Sequence, residues 1–309
     1  METRSRVIFG SCTDMHEIPD ESVHLMVTSP PYYNAPFDYP GLFENYDEFL
    51  RMIDAFAKEL YRVMAPGRVA ALVTDDMLVE GEKYPIVADI TTLMLKNGFR
   101  YRDKIVWEKP EGYIRISRRS GVALQHPYPM YFYPDNIQES ILLFQKGKFD
   151  YNSIRKMSSE TVQASKLDLD RFQKEKWHLT IWKIVNVLPT KGRIEEGVAA
   201  FPEEIPRRLI QLFTFLGETV LDPFLGSGTT MKVSRELGRS CWGYEIDLEL
   251  KPIVMKKMRY GPAANNDAQL EVVERSDAKR LRTFFRIKME SQRSRAKHHN
   301  PRSHQTKKP

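Results

Sequence analysis

Cysteine is scarce. Cys12 and Cys241 are the only two in 309 residues. Two thiols so far apart form neither a metal-ligand spacing nor a disulfide framework. That excludes a zinc-clamped or disulfide-stapled module, no metal is expected, and a reducing, cytoplasmic setting fits best. Long apolar runs are missing too. No segment approaches the about 20 apolar residues of a membrane span, and Met1-Glu2-Thr3-Arg4-Ser5 lacks the apolar centre of a signal peptide. No internal repeat is found. No lysine follows the glycine turn at Gly226-Ser227-Gly228, which speaks against P-loop nucleoside triphosphate chemistry.

What is present suits one large α/β domain. Apolar residues make up 41% of the chain, ample for a core at this length. The net charge of +6 favours a polyanionic partner, although basic soluble enzymes are common.

The first informative stretch is Thr28-Ser29-Pro30-Pro31-Tyr32. It follows the apolar run Val23–Val27, which reads as a buried strand. Two prolines stop a strand, because neither can donate to a ladder. Ser29, preceding a proline, is pushed toward extended backbone. A hydroxyl, a carbonyl and an aromatic ring are thereby held close together at a strand end. A plain strand-ending turn would explain Pro-Pro alone. The second stretch is Val220-Leu221-Asp222-Pro223-Phe224-Leu225-Gly226-Ser227-Gly228-Thr229-Thr230. It reads as a strand, a glycine turn and a helix from about Thr229 to Leu237, followed by a strand Trp242–Ile246 with the acid Glu245 near its end. Strand, glycine turn, helix, strand and acid make a nucleoside-binding unit.

Elsewhere the pattern is regular. Phe49, Ile53, Phe56, Leu60 and Val63 recur at helical spacing over 46–64, with Pro66-Gly67 expected to end the helix. Val69–Thr74 reads as a strand ending in Asp75-Asp76, acids read mainly as a solvated strand end. A helix is expected over 86–95, strands over 104–109 and 141–144, and a helix over 207–216 opened by Phe201-Pro202 and two glutamates. Tyr33–Glu44 reads as an aromatic loop over the site. Pro110–Asn136 mixes Arg115, Arg118 and Arg119 with tyrosines, which suits phosphate contact and base stacking. A helix is a candidate over 276–289, and the basic stretch 290–309 is expected to be disordered.

Together the two stretches resemble the amino-methylating DNA methyltransferases that use S-adenosylmethionine. The first matches the family's catalytic [Asp/Asn/Ser]-Pro-Pro-[Tyr/Phe] motif in its serine form. The second matches its Asp-Pro-Phe-x-Gly-x-Gly-Thr-Thr cofactor motif. The catalytic motif comes first, the permuted order of the β group, and flanking matches cover most of residues 7–261.

The resemblance implies a Rossmann-like α/β fold: a mostly parallel sheet with an antiparallel strand pair, helices on both faces and an inserted recognition segment. It divides the chain into a catalytic half (1–147), a target-recognition insert (148–196), a cofactor-binding half (197–275) and a C-terminal helix with a basic tail (276–309). A helical excursion that only braces the sheet is the alternative for the insert. The implied catalytic residues are Ser29, Pro30, Pro31 and Tyr32. The implied cofactor contacts are Ser11, Cys12, Phe201, Pro202, Asp222, Phe224, Gly226, Ser227, Gly228, Thr229 and Glu245. Ser11 stands where the family has an acid expected near the adenine. Tyr33, Arg115, Arg118 and Arg119 are candidate DNA contacts.

The implied activity is transfer of a methyl group from S-adenosylmethionine to an exocyclic amino group of a flipped base in double-stranded DNA. Serine in the catalytic motif favours cytosine N4, with adenine N6 as the alternative. An RNA or protein methyltransferase on the same fold is more distant. C5-cytosine methylation needs a cysteine that follows a proline, whereas Cys12 follows Ser11 and Cys241 follows Ser240; both read as buried small apolar residues. A restriction-modification role brings in a cognate endonuclease as partner, and a monomer or homodimer is expected.

Overall fold

Strands β2 (Val23–Thr28) and β9 (Thr219–Asp222) lie side by side although nearly 200 positions separate them in the chain. This parallel pair is where the architecture reverses direction. The computed structural model describes residues 3–34, 42–79, 81–110, 128–130, 137–186, 201–259 and 270–278.

From β2 the chain runs through helix α1 (Tyr46–Val63) to its neighbour β3 (Met64–Thr74). A short hairpin, β4 (Met77–Val79) and β5 (Glu82–Tyr84), leads into α2 (Ile86–Lys96), β6 (Arg100–Glu108) and β7 (Gln138–Gln145). A 3-10 turn at Tyr151–Lys156 and the short helices α3 (Ser159–Ala164) and α4 (Leu169–Lys174) precede β8 (Ile181–Lys183). Helix α5 (Glu204–Phe213) then feeds β9, α6 (Thr229–Glu236), β10 (Ser240–Glu245), α7 (Lys251–Arg259) and β11 (Leu270–Glu274). With β1 (Ser5–Phe9) these strands form one nine-stranded sheet in the order β11-β1-β10-β9-β2-β3-β7-β6-β8. Only the pairings of β7, with β3 and with β6, are antiparallel.

Sequence periodicity explains which helices cover which face. Adjacent strand residues point to opposite sides. Met26 joins Phe49, Ile53, Phe56 and Leu60 of α1 and Ile86, Ile90 and Met94 of α2 in one core. Leu25 and Val27 join Ile205, Leu209 and Ile210 of α5, Met231 and Val233 of α6, and Val254 of α7 in the other. Strands buried on both faces read as continuous apolar runs, as Val69–Val73 does. The sheet is Rossmann-like, with helices on both faces. Among the described residues no helix is long and apolar enough to cross a membrane.

Several boundaries differ from the sequence expectation. Helix α1 stops at Val63 and β3 begins at once, so Pro66-Gly67 lies inside a strand end. Gly67 has φ +80° and donates to the Lys146 carbonyl, a conformation glycine adopts freely. Helix α5 begins at Glu204 rather than Arg207 and ends at Phe213, where the Thr214 hydroxyl bonds back to the Ile210 carbonyl at 2.5 Å. Strand β6 starts at Arg100, four residues early, because β7 offers it partners along that length.

Between β7 and α5, Ser165, Trp177, Trp182 and Ile184 tie the segment to α5 and the sheet edge. Trp177 and Trp182 are buried, with the Arg208 guanidinium 5.4 and 5.1 Å from their ring centres. Ser165 Oγ accepts the Leu216 N–H at 2.8 Å, and the Trp107 indole donates to the Ile184 carbonyl at 2.8 Å. Arg115, Arg118 and Arg119, most of the 110–136 loop, the end of the insert and the tail lie outside the described residues.

Candidate active site

In an open parallel sheet, ligands bind at the carboxyl ends of strands where the strand order reverses. Here that place is the end of β2 and β9. The Thr28 hydroxyl, last residue of β2, donates to Asp222 Oδ1, last residue of β9, at 2.6 Å. Ser29-Pro30-Pro31-Tyr32 continues from one strand and the turn 223–228 from the other. The two motifs therefore open onto the same edge of neighbouring strands.

The glycine turn has the features its sequence promised. Gly226 and Gly228 have φ of +52° and +89°, and Gly228 is the N-cap of α6. The first N–H groups of a helix lack intrahelical acceptors and offer themselves to an anion. Across the turn, Glu245 at the end of β10 accepts the Gly226 N–H at Oε2 (2.7 Å) and the Asp247 N–H at Oε1 (2.9 Å). Each oxygen keeps lone-pair capacity for a further donor. Burial pushes the Glu245 carboxyl up to about 8, against the backbone donors that pull it down. Asp222 is likewise raised by burial, to about 7, and is drawn back by the Thr28 and Thr230 hydroxyls and the Phe224 N–H. Paired acceptors beside a glycine turn and a helix N-terminus fit a ligand that carries vicinal hydroxyls at one end and a carboxylate at the other.

Phe201 and Pro202 lead into α5, whose N-cap Glu203 pairs with Lys232 of α6 at 2.6 Å and whose Arg207 pairs with Glu236 at 2.7 Å. Pro202 is buried and Phe201 half-buried against the core below α5. Phe224 stands edge-on to Phe56 of α1, ring centres 5.1 Å apart. Ser227 and Thr229 are buried at the turn. Cys12 is buried, with Glu245 and Asp222 among the charges that, after burial itself, raise its thiol. Ser11 Oγ is 2.8 Å from the Thr13 hydroxyl, and its N–H donates to Asp277 at 3.3 Å. A carboxylate from the far end of the chain thus lies beside Ser11.

In the stretch after β2, Ser29 is half-buried and Pro30 buried. The Tyr32 hydroxyl donates to Glu139 Oε2 at 2.9 Å. Glu139 opens β7, and its other oxygen accepts Lys109 Nζ at 2.5 Å. Lys109 is 2% exposed and also sits 4.9 Å above the Trp107 ring. Burial, then Glu139, raises the Tyr32 phenol well above its ordinary range, so it stays a hydrogen-bond donor. Sequence reading missed Lys109 and Glu139. The one available signal was a charge at each facing end of two adjacent strands. Tyr33, next in the chain, is buried. Its ring is 7% exposed and packs edge-on to Tyr46 and Tyr84. Asp76 is no free strand end either: it accepts the Val87 N–H in the first turn of α2 at 3.0 Å.

Among the described residues no cluster of His, Cys, Asp or Glu is placed to hold a metal.

Residues 23–256 match the family model described as DNA methylase, for N6/N4 methyltransferases. The Type II methyltransferase M.MjaI of Methanocaldococcus jannaschii is 34% identical over 295 residues, covering 83% of this chain and 91% of the relative. A putative DNA modification methylase from Thermus thermophilus, solved with S-adenosyl-L-methionine, superposes with a TM-score of 0.67 at 28% identity, over 87% of this chain and 99% of that one. The cytosine-N4-specific PvuII DNA methyltransferase shares the fold, with a TM-score of 0.61 at 17% identity over 89% of this chain and 96% of that one. The chain belongs to the N6/N4 DNA methylase family, and its cofactor is S-adenosylmethionine.

Proposed function

We propose that this DNA methyltransferase modifies cytosine at N4, within a restriction-modification system, on a base flipped out of the duplex. The observation that carries the site assignment is the Thr28–Asp222 bond, which sets Ser29 and the glycine turn side by side. Serine in place of aspartate, at Ser29, supports cytosine over adenine through the family resemblance. The name of the M.MjaI relative, a Type II methyltransferase, supports the restriction role.

Bound S-adenosylmethionine supplies a methyl group on a sulfonium. Glu245 would accept from the ribose hydroxyls, the α6 N-terminus would take the methionine carboxylate, and Phe201 and Pro202 would line the methionine end. An exocyclic amino nitrogen is a poor nucleophile because its lone pair is spread into the ring. Hydrogen bonds from its two N–H groups to the Ser29 hydroxyl and the Pro30 carbonyl favour a pyramidal nitrogen. The Pro31 ring fixes where that carbonyl points. Tyr32 stacks on the base, its ring held by Glu139, and positioning supplies much of the rate. This reading puts the segment between β7 and α5 and the arginine-rich loop at the DNA.

Tritium transfer from labelled cofactor to duplex DNA, followed by nucleoside analysis, tests this. The label is expected in N4-methylcytosine. Ser29→Ala and Tyr32→Ala are expected to lower turnover by roughly a hundredfold or more while leaving S-adenosylhomocysteine affinity unchanged. Label in N6-methyladenine overturns the base assignment, and full activity in both variants overturns the site.

A further inference from the structure

A buried lysine and a largely buried glutamate meet where β6 ends and β7 begins. Lys109 is 2% exposed, and its backbone N–H donates to the Ile137 carbonyl at 2.8 Å. Its Nζ donates to Glu139 Oε1 at 2.5 Å. Trp107, opposite Glu139 in the β6–β7 ladder, covers the ammonium from 4.9 Å. Drawing such a pair out of water costs about as much as its attraction returns, and apolar residues of similar volume often hold a core equally well. Stability alone is therefore a weak reason for the pair. The second carboxylate oxygen points to another task. Glu139 Oε2 accepts the Tyr32 hydroxyl at 2.9 Å, across 107 positions of chain. The Ser29 side chain also hydrogen-bonds the Tyr32 phenol. A hydroxyl that gives its proton to a carboxylate has only lone pairs left for its other neighbours. Ser29 then donates to Tyr32, and its own oxygen can accept from a donor that enters the site.

We propose that Lys109 and Glu139 are positioning residues for methyl transfer, an ion pair that fixes the Tyr32 hydroxyl and, through it, the proton of Ser29. The inference rests on the amino-group reading above and deepens it. Lys109 secures one oxygen of Glu139, the other oxygen takes the Tyr32 proton, and Tyr32 takes that of Ser29. The serine is thereby set as an acceptor for the amino group before the base arrives. The Tyr32 hydroxyl is needed in addition to its ring. The pair acts on the rate of the assembled complex and not on its formation.

Tritium transfer to saturating duplex DNA gives kcat and the cofactor KM, and calorimetry gives S-adenosylhomocysteine affinity. Tyr32→Phe keeps the ring and removes only the hydroxyl. Lys109→Met combined with Glu139→Leu removes the pair without stranding a charge. Each change is expected to lower kcat about ten- to hundredfold, the effect of a small misplacement at the reacting centre. Cofactor KM and S-adenosylhomocysteine affinity should stay within about twofold. The triple variant should be no slower than the slower of the two, because groups that act through one another are not additive. Wild-type kcat in Tyr32→Phe would overturn the proposal, whether or not the pair variant folds. Losses that multiply in the triple variant would overturn it too, since the pair would then act apart from Tyr32. Cofactor affinity falling in step with kcat would mean that the pair only braces the fold. Full activity in Tyr32→Ala would sink the site reading itself. An inactive Tyr32→Ala beside a fully active Tyr32→Phe would remove this inference alone.

Discussion

Asp222 and Glu245 end neighbouring strands, and both carboxyls are raised by burial, to about 7 and about 8. Their ordinary values are 3.8 and 4.5. Between these limits the folded state binds more protons than the unfolded state, so these two groups make the ligand-free protein lose stability as pH rises from about 4 to about 8. The carboxylates held below their ordinary range, Asp54 and Glu59 by their hydrogen bonds to Asn97 and Arg62, act at the acid side of that window and in the opposite sense. A ligand that donates hydroxyls to Glu245 favours its ionised form. The rise in melting temperature caused by S-adenosylhomocysteine should therefore grow between about pH 6 and pH 8.5, and Asp222→Asn should flatten the stability slope of the free protein. A ligand shift independent of pH in scanning fluorimetry would contradict the placement of Glu245 at the ribose. At this scale the sequence was most legible where chemistry and backbone restriction coincide, as at Ser29-Pro30-Pro31 and Gly226–Gly228. Lys109 and Glu139 were illegible because their partner, Tyr32, is far away in the chain and no pattern links the three. The burial of Tyr33 was illegible for a related reason: which way the side chain after Tyr32 turns is set by tertiary packing.

The two glycines that matter most to the elements do so differently. Gly67, at φ +80°, sits in the entry to β3, and a Cβ there would lie 2.4 Å from the Phe149 Cα and 2.7 Å from the Lys148 carbonyl oxygen. Those are backbone atoms of the segment leaving β7, and backbone cannot step aside as a side chain can. Gly228, at φ +89°, has open space, with its nearest contact, Val254, at 3.7 Å. Gly67→Ala is expected to destabilise the protein by about 3 kcal/mol or more through strain and overpacking together. Gly228→Ala should cost about 1–2 kcal/mol from the left-handed backbone alone, yet weaken S-adenosylhomocysteine more than Gly67→Ala does, because it reshapes the turn. Urea titration and calorimetry on the pair measure both. The reverse ranking in affinity would place the cofactor away from α6. The Pro66-Gly67 pair looked like a helix stop, because proline and glycine punctuate helices. Its actual task, admitting the Phe149 backbone beside β3, depends on a tertiary contact that local pattern does not encode.

Across the whole molecule, the Ser29-Pro30-Pro31-Tyr32 stretch and the glycine turn are joined within one sheet and pinned at both ends of the β2–β9 seam. At the carboxyl end the pin is Thr28–Asp222. At the opposite end Arg68, near the start of β3, forms a double-pronged ion pair with Glu218, just before β9. Both residues are buried, and Glu218 Oε2 also accepts the Phe215 N–H at 2.8 Å. Removing one partner of such a pair strands a buried charge, whereas removing both together need not be destabilising. Glu218→Ala should therefore cost about 3–5 kcal/mol, and Arg68→Met combined with Glu218→Leu should recover much of that loss. Because the sheet hydrogen bonds run unbroken from β11 to β8, the weakened protein should still unfold in one step. Tryptophan fluorescence reads this directly: Trp107 and Trp182 lie near the β8 edge and Trp242 in β10 toward the other. Coincident urea transitions by fluorescence and circular dichroism would fit one cooperative unit. Two separated transitions in Glu218→Ala would mean that the seam joins two independent bodies. In that case the shared edge of β2 and β9 could not hold Ser29 and the glycine turn at a fixed separation, as methyl transfer requires.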